Sequence, residues 1–116
     1  MARRSLLAVA LAAAVGIAQV AIAEDIKPID TSRLVTIGGA VTEIVFDLGL
    51  GDKVIARDST SFYPEQATRL PDVGYMRQLS PEGVLSVNPS AILMIEGSGP
   101  KTALDVLSKA SVPMVT

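Results

Sequence analysis

The sequence predicts an α/β fold: a doubly wound parallel sheet with helices on its faces. Three observations carry this. Short runs rich in aliphatic and β-branched residues recur at 33–37, 53–57, 91–95 and 112–116. Helical apolar spacing or helix-start residues fall between them. The run 91–95 is apolar throughout, as expected of a strand covered on both faces. Strands alternating with helices in this way form a parallel sheet.

Residues 24–32 are a polar lead-in containing Pro28. Residues 33–37 read Arg-Leu-Val-Thr-Ile and stop at Gly38-Gly39, which predicts a buried strand. Val41, Ile44, Val45 and Leu48 then fall at i, i+3, i+4 and i+7, one face of a helix. Gly49 suits a left-handed C-cap, with Leu50 packing back. Residues 53–57 are a second strand, so strand, helix and strand make a βαβ unit with parallel strands and a right-handed crossover.

Residues 58–79 show no clear period and contain Pro64, Pro71 and Gly74. So long an irregular stretch is uncommon in a compact domain and is often functional. It holds Phe62, Tyr63 and Tyr75, three of the chain's four aromatics, while Phe46 lies in the first helix. Regularity resumes at Ser80, a good N-cap, with Pro81 at the first helical position and Glu82 favoured by the helix dipole. Leu79 and Val84 suit a hydrophobic staple. Asn88-Pro89 stops this helix, and residues 91–95 are the third strand. Gly97-Ser98-Gly99-Pro100 opens a further helix with Ala103, Val106, Leu107 and Ala110 on one face. Residues 112–116 are a fourth strand. A sheet ending there reads as the front part of a longer, truncated protein, the alternative being a small domain with an edge strand.

The 116 residues allow one domain of ordinary size, and the 49% hydrophobic content excludes a disordered chain. Ten basic against twelve acidic residues argue against a nucleic-acid partner or an anionic-membrane binder. The absence of His and Cys excludes a Ser-His or Cys-His nucleophile pair, the usual zinc ligands, a disulfide and an acylated N-terminal Cys. An enzyme built from this chain would have only carboxylates, Lys, Tyr or Ser to work with.

Residues 1–23 read as a cleavable signal peptide. Arg3 and Arg4 form a basic start, residues 6–18 are apolar, and Ala21-Ile22-Ala23 gives the small-x-small pattern before Glu24. An uncleaved anchor is the alternative. Sec is the simpler export route, although Arg3-Arg4-Ser5-Leu6-Leu7 also fits twin-arginine export. Removing residues 1–23 takes Arg3 and Arg4 and no acid, leaving eight basic against twelve acidic residues and a net charge of −4. The expectation is an acidic, cysteine-free domain at 24–116, free in a bacterial periplasm.

In an open α/β sheet, ligands collect at the carboxyl ends of the strands. Those ends are Gly38-Gly39, residues 57–61 (with Arg57, Ser59 and Thr60) and residues 96–100. Gly38-Gly39 precedes a helix start and suits either an anion site or a tight turn, but no nucleotide-binding glycine fingerprint is present. Tyr75-Met76-Arg77 is more specific. A phenolate is a hard anionic ligand suited to ferric iron, and Tyr is an axial ligand of haem. A free Tyr has a pKa of about 10, so it ligates well only where something stabilises the anion. In an extended segment residues i and i+2 point to one side, so Arg77 would favour the phenolate or pair with a ligand carboxylate. A loop Tyr resting on apolar surface beside a solvated Arg is the bland alternative. Glu82 is most simply a helix-dipole residue or, if exposed, a docking charge.

Residues 33–44 (Arg-Leu-Val-Thr-Ile-Gly-Gly-Ala-Val-Thr-Glu-Ile), 56–61 (Ala-Arg-Asp-Ser-Thr-Ser), 70–77 (Leu-Pro-Asp-Val-Gly-Tyr-Met-Arg) and 79–85 (Leu-Ser-Pro-Glu-Gly-Val-Leu) together resemble the N-terminal lobe of periplasmic haem-binding proteins, the substrate-binding components of bacterial haem ABC importers. The resemblance runs from about residue 33 to 116, and residues 71–77 are its most specific part. The opening through Thr42-Glu43 is shared with cobalamin and siderophore binders. The resemblance implies a two-lobed protein of the helical-backbone type, with haem in the cleft as transported ligand. It implies Tyr75 as the haem-iron ligand, Arg77 as stabiliser of the phenolate or the bound haem, and Glu82 as the contact to permease arginines. The candidate cleft-lining residues are Gly38, Gly39, Arg57, Ser59 and Thr60. The implied partners are haem, an inner-membrane ABC permease with its ATPase, and an outer-membrane haem receptor system. Nothing in the chain corresponds to a connecting helix or a second lobe. The expected function is haem capture in the periplasm and delivery to the importer, with no bond made or broken. The alternatives are cobalamin or a ferric siderophore as cargo, an α/β enzyme using Gly38-Gly39 as an anion site, and an inactive lobe.

Overall fold

The structure, a computed structural model, describes residues 27–116. The signal-peptide reading of residues 1–23 lies outside them. The elements in order are β1 (Leu34–Ile37), α1 (Gly39–Asp47), β2 (Val54–Arg57), α2 (Pro81–Leu85), β3 (Ala91–Met94), α3 (Lys101–Ser108) and β4 (Met114–Val115), with 3-10 helices at Gly51–Lys53 and Glu65–Arg69. All strand pairs are parallel, and the sheet order is β2-β1-β3-β4.

That order reverses direction after β2. The chain steps outward from β1 to β2, then crosses back past β1 to β3 and on to β4. With right-handed crossovers, opposite directions of travel place helices on opposite faces. The core divides accordingly. Val35, Ile37, Ala56, Ile92 and Met94 pack with Val84 of α2 and with Ala103 and Leu107 of α3. Leu34, Val54 and Ala91 pack with Val45 of α1. Alternate residues of one strand thus serve two cores, which is why the strands are apolar without a polar face.

Helix α1 ends as its sequence predicts. Gly49 has φ +80°, its N–H donates to the Phe46 carbonyl at 3.0 Å, and the Leu50 N–H donates to Val45 at 3.1 Å. This pair of bonds is a Schellman cap. The buried face of α1 differs from expectation. Thr42 and Val45 are buried, while Ile44 is 57% and Leu48 71% exposed. The cause is a buried polar contact: the Thr42 hydroxyl meets Thr36 and Ser61, which rotates Ile44 and Leu48 outward. They border an apolar groove completed by Val41, Leu93 and Val115. In α3, Ala103 and Leu107 are buried as expected, whereas Val106 is half-exposed.

Helix α2 starts as read. The Ser80 Oγ accepts from the Gly83 N–H at 3.3 Å, and Pro81 opens the helix. Replacing Ser80 with Ala should cost about 1 kcal/mol. For a domain of this size that is a fall of about 4–8 °C in Tm, readable by circular dichroism. An unchanged Tm would show that the cap contributes nothing.

The irregular stretch is more ordered than its sequence suggests. Beyond the 3-10 helix at Glu65–Arg69, the chain runs beside β2, with Asp72 bridged in parallel to Arg57. The Arg57 N–H donates to Pro71 at 3.0 Å, and the Val73 N–H donates to Arg57 at 2.9 Å. The open edge of β2 is thereby covered. Among the described residues, no helix is long and apolar enough to cross a membrane.

Candidate functional site

The strand order reverses between β1 and β3, and in open α/β sheets ligands bind beyond the carboxyl ends of the strands at such a point. Here the residues that follow the two strands are in close contact. A side-chain carbon placed on Gly38 would lie 2.6 Å from the Ile95 side chain, and Gly38 sits at φ +102°. Only glycine serves there, because the residue both adopts a left-handed backbone and touches the residue following β3.

The turn after β2 is locked by Asp58, which is fully buried. Its Oδ1 accepts from the Gly38 N–H at 2.9 Å and from the Ser61 hydroxyl at 2.7 Å. Its Oδ2 accepts from the Thr60 N–H at 3.1 Å and from the Thr60 hydroxyl at 2.7 Å. Ser61 has one hydroxyl proton, and it goes to the carboxylate. Ser61 therefore accepts from Thr42 at 2.6 Å, a nearer acceptor for the one Thr42 proton than the Gly38 carbonyl at 3.3 Å, and Thr42 accepts from Thr36 at 2.8 Å. A polarised chain of three hydroxyls ends on one carboxylate and joins β1, α1 and the turn. Sequence reasoning passed over Asp58. The signal was there: an Asp directly after a strand, followed by Ser-Thr-Ser, is the composition of an Asx-turn.

This network uses the backbone donors that the sequence offered to an anion. The Gly38 N–H is held by Asp58, and the Gly39 N–H donates to the Thr60 hydroxyl at 3.1 Å. The two glycines therefore form a tight turn.

Arg57 is largely buried and turned to the β2 edge. Its Nη1 pairs with Asp72 Oδ2 at 3.3 Å, and its Nη2 donates to the Thr68 carbonyl at 3.1 Å. Asp72 Oδ1 also accepts from the Ser59 hydroxyl at 3.2 Å and from the Gly74 N–H at 2.8 Å. Arg57, Ser59 and Asp72 together fasten the returning chain to the tip of β2.

Tyr75 follows directly. Gly74, at φ +105°, turns the chain, and its carbonyl accepts from the Ser59 N–H at 2.9 Å. The Gln78 N–H donates to the Tyr75 carbonyl at 2.9 Å, closing a β-turn across Met76 and Arg77. Tyr75 and Arg77 thus sit in a turn rather than the extended segment assumed from sequence, so strand alternation does not set their relative directions. Met76 packs against the core below the turn. Its carbonyl accepts from the Gly99 N–H at 2.8 Å, and the Leu79 N–H donates back to Gly99 at 2.9 Å. The Tyr75 turn is consequently pinned between the loops leaving β2 and β3. Tyr75 is 43% exposed, and Arg77 is exposed.

Glu82 is exposed on the first turn of α2. Its own backbone N–H, then the Ser80 hydroxyl, hold its carboxyl below the usual carboxylate range. It is a fixed negative charge at neutral pH. Among the described residues, no three carboxylates gather into a metal cage. Exposed oxygen donors near the strand tips include the Tyr63 and Tyr75 phenols and the Glu96 carboxylate.

Comparison with known proteins identifies the family to which this fold belongs. Residues 34–116 match the family described as periplasmic binding protein. The vitamin B12-binding protein of Yersinia pestis (strain Pestoides F) is 33% identical over 82 residues, 71% of this chain and 29% of that protein. The apo periplasmic heme-binding protein RhuT of Roseiflexus sp. RS-1 superposes with TM-score 0.71 at 41% identity, covering 74% of this chain and 33% of that one. A periplasmic heme-binding protein of Pseudomonas aeruginosa gives TM-score 0.69 at 40% identity, covering 72% and 30%. The chain thus spans about a third of the length of these proteins. Its parallel sheet and the match over residues 34–116 together place the chain in the periplasmic binding protein family.

Proposed function

We propose that residues 24–116 are the N-terminal lobe of a periplasmic protein that captures ferric haem and hands it to an inner-membrane ABC importer, after export on residues 1–23. The role is capture and release, without covalent chemistry. One observation carries the reading: Tyr75, a partly exposed phenol, is pinned by backbone bonds between the loops that leave β2 and β3. A phenolate so held is a ligand for ferric iron, and Arg77 supplies a nearby cation. Two structural neighbours at 40–41% identity carry heme-binding names, which favours this cargo. Ser59 and Thr60 set the tip turn beneath the ligand, and Glu82 offers the permease a fixed charge.

Cobalamin is the second reading, motivated by the vitamin B12-binding relative. A titration separates the two. Ferric haem added to the purified chain should give a shifted Soret band and a phenolate-to-iron charge-transfer band, while cyanocobalamin should leave protein and ligand spectra additive. Retention of cyanocobalamin with no haem uptake would falsify the haem assignment.

A further inference from the structure

We infer that Phe62 and Tyr63 form a stacking platform for the flat face of the porphyrin, a ligand contact separate from iron ligation. The inference rests on the haem reading above. Phe62 is 74% and Tyr63 63% exposed, in a chain with only four aromatic residues. Neighbouring large aromatic side chains left in water mark a contact surface.

The pair is displayed on a backbone clamped on both sides. Ser61, immediately before it, is fully buried and bonded to Asp58 and Thr42. Just after it, the Pro64 carbonyl accepts from the Ala67 N–H at 2.9 Å, and Ala67 is fully buried. Rigid aromatics offer large contact area at low entropic cost on binding.

Placement supports the same conclusion. The turn at 58–61 lies over the start of α1, since a side-chain carbon on Gly39 would lie 2.9 Å from the Thr60 carbonyl. Phe62 and Tyr63 leave this turn on one branch. Tyr75 returns to it on the other, through the Ser59–Gly74 bond. One strand tip therefore carries the partly exposed Tyr75 phenol and two further exposed rings. A broad, flat, apolar macrocycle is the ligand class that uses both.

The test uses the whole chain with ferric haem and with iron-free protoporphyrin IX, which has no iron for Tyr75 to ligate. The F62A/Y63A variant should bind protoporphyrin IX about tenfold more weakly. It should keep the charge-transfer band when saturated with haem. Y75F should do the reverse, losing that band while binding protoporphyrin IX more tightly than F62A/Y63A does. Y63F keeps the ring and should bind protoporphyrin IX more tightly than F62A/Y63A does. Equal protoporphyrin IX affinity in F62A/Y63A and wild type, with matched circular dichroism, overturns the platform and leaves the haem reading standing. Uptake of neither porphyrin by the wild-type chain overturns both.

Discussion

Asp58→Asn is expected to lower the unfolding free energy by about 3 kcal/mol. The argument is one of donors and acceptors. The buried carboxylate accepts four hydrogen bonds, two on each oxygen. An amide keeps one oxygen and turns a donor toward two donors. Either the Gly38 N–H and Ser61, or both Thr60 groups, lose their acceptor. Hydrogen bonds to a charged group contribute about 1.5–3 kcal/mol each, and an unsatisfied buried donor costs about 1–3 kcal/mol. In the first case the hydroxyl chain through Thr42 to Thr36 loses its terminal acceptor as well. A loss of this size lowers Tm by about 12–24 °C in a small domain. Urea unfolding and calorimetry both read it. A Tm within 2–3 °C of wild type, about the effect of half a kcal/mol, would mean that the turn is held by its backbone bonds alone.

Tyr75→Phe is expected to abolish the phenolate-to-iron charge-transfer band and to weaken ferric haem binding by at least about 10- to 100-fold. That range is the cost of removing a partner that only orients a metal ligand, so loss of the ligand itself sets it as a floor. The substitution removes one oxygen and leaves the ring. It therefore spares the packing of Met76 and the bonds that tie the turn to Gly99. Matched thermal unfolding of variant and wild type will show that spectral loss is not loss of fold. An unaltered haem spectrum in the variant would remove Tyr75 from the iron and end the ligand assignment.

The elements that the residues announce are those closed by neighbours in sequence. The cap at Gly49 and Leu50 is satisfied within five residues, and Ser80 caps a donor three residues on. Strand positions were readable because runs such as 91–95 have no polar face, which in itself demands cover on both sides. The parallel layout and the strand-tip location of the segment bearing Tyr75 follow from those short-range signals and from the general rules of crossover connections, whereas the strand order β2-β1-β3-β4 was visible only in the fold.

The buried face of α1 was another matter. Apolar spacing favoured Ile44 and Leu48, but the folded chain seats Thr42 instead. Its hydroxyl has partners only when residues 36 and 61 arrive beside it, and hydropathy alone carries no information about that meeting. The same holds for the glycine turn. Two free amides at a helix start look like an anion site until Asp58 and Thr60 come to occupy them.

Amino-acid order alone thus established the parallel α/β class, the helix caps at Gly49 and Ser80 and the strand-tip segment bearing the aromatics, because each depends on local spacing or on composition. Folding in three dimensions decided which polar groups are spent internally. It turned Arg57 toward Asp72, buried Asp58 beneath the tip, and set Tyr75 and Arg77 in a β-turn. The physical reason is that a buried hydrogen-bonding group is committed to whichever partners the fold holds within about 3 Å of it. For these residues the partners come from distant parts of the chain or from the closure of a turn.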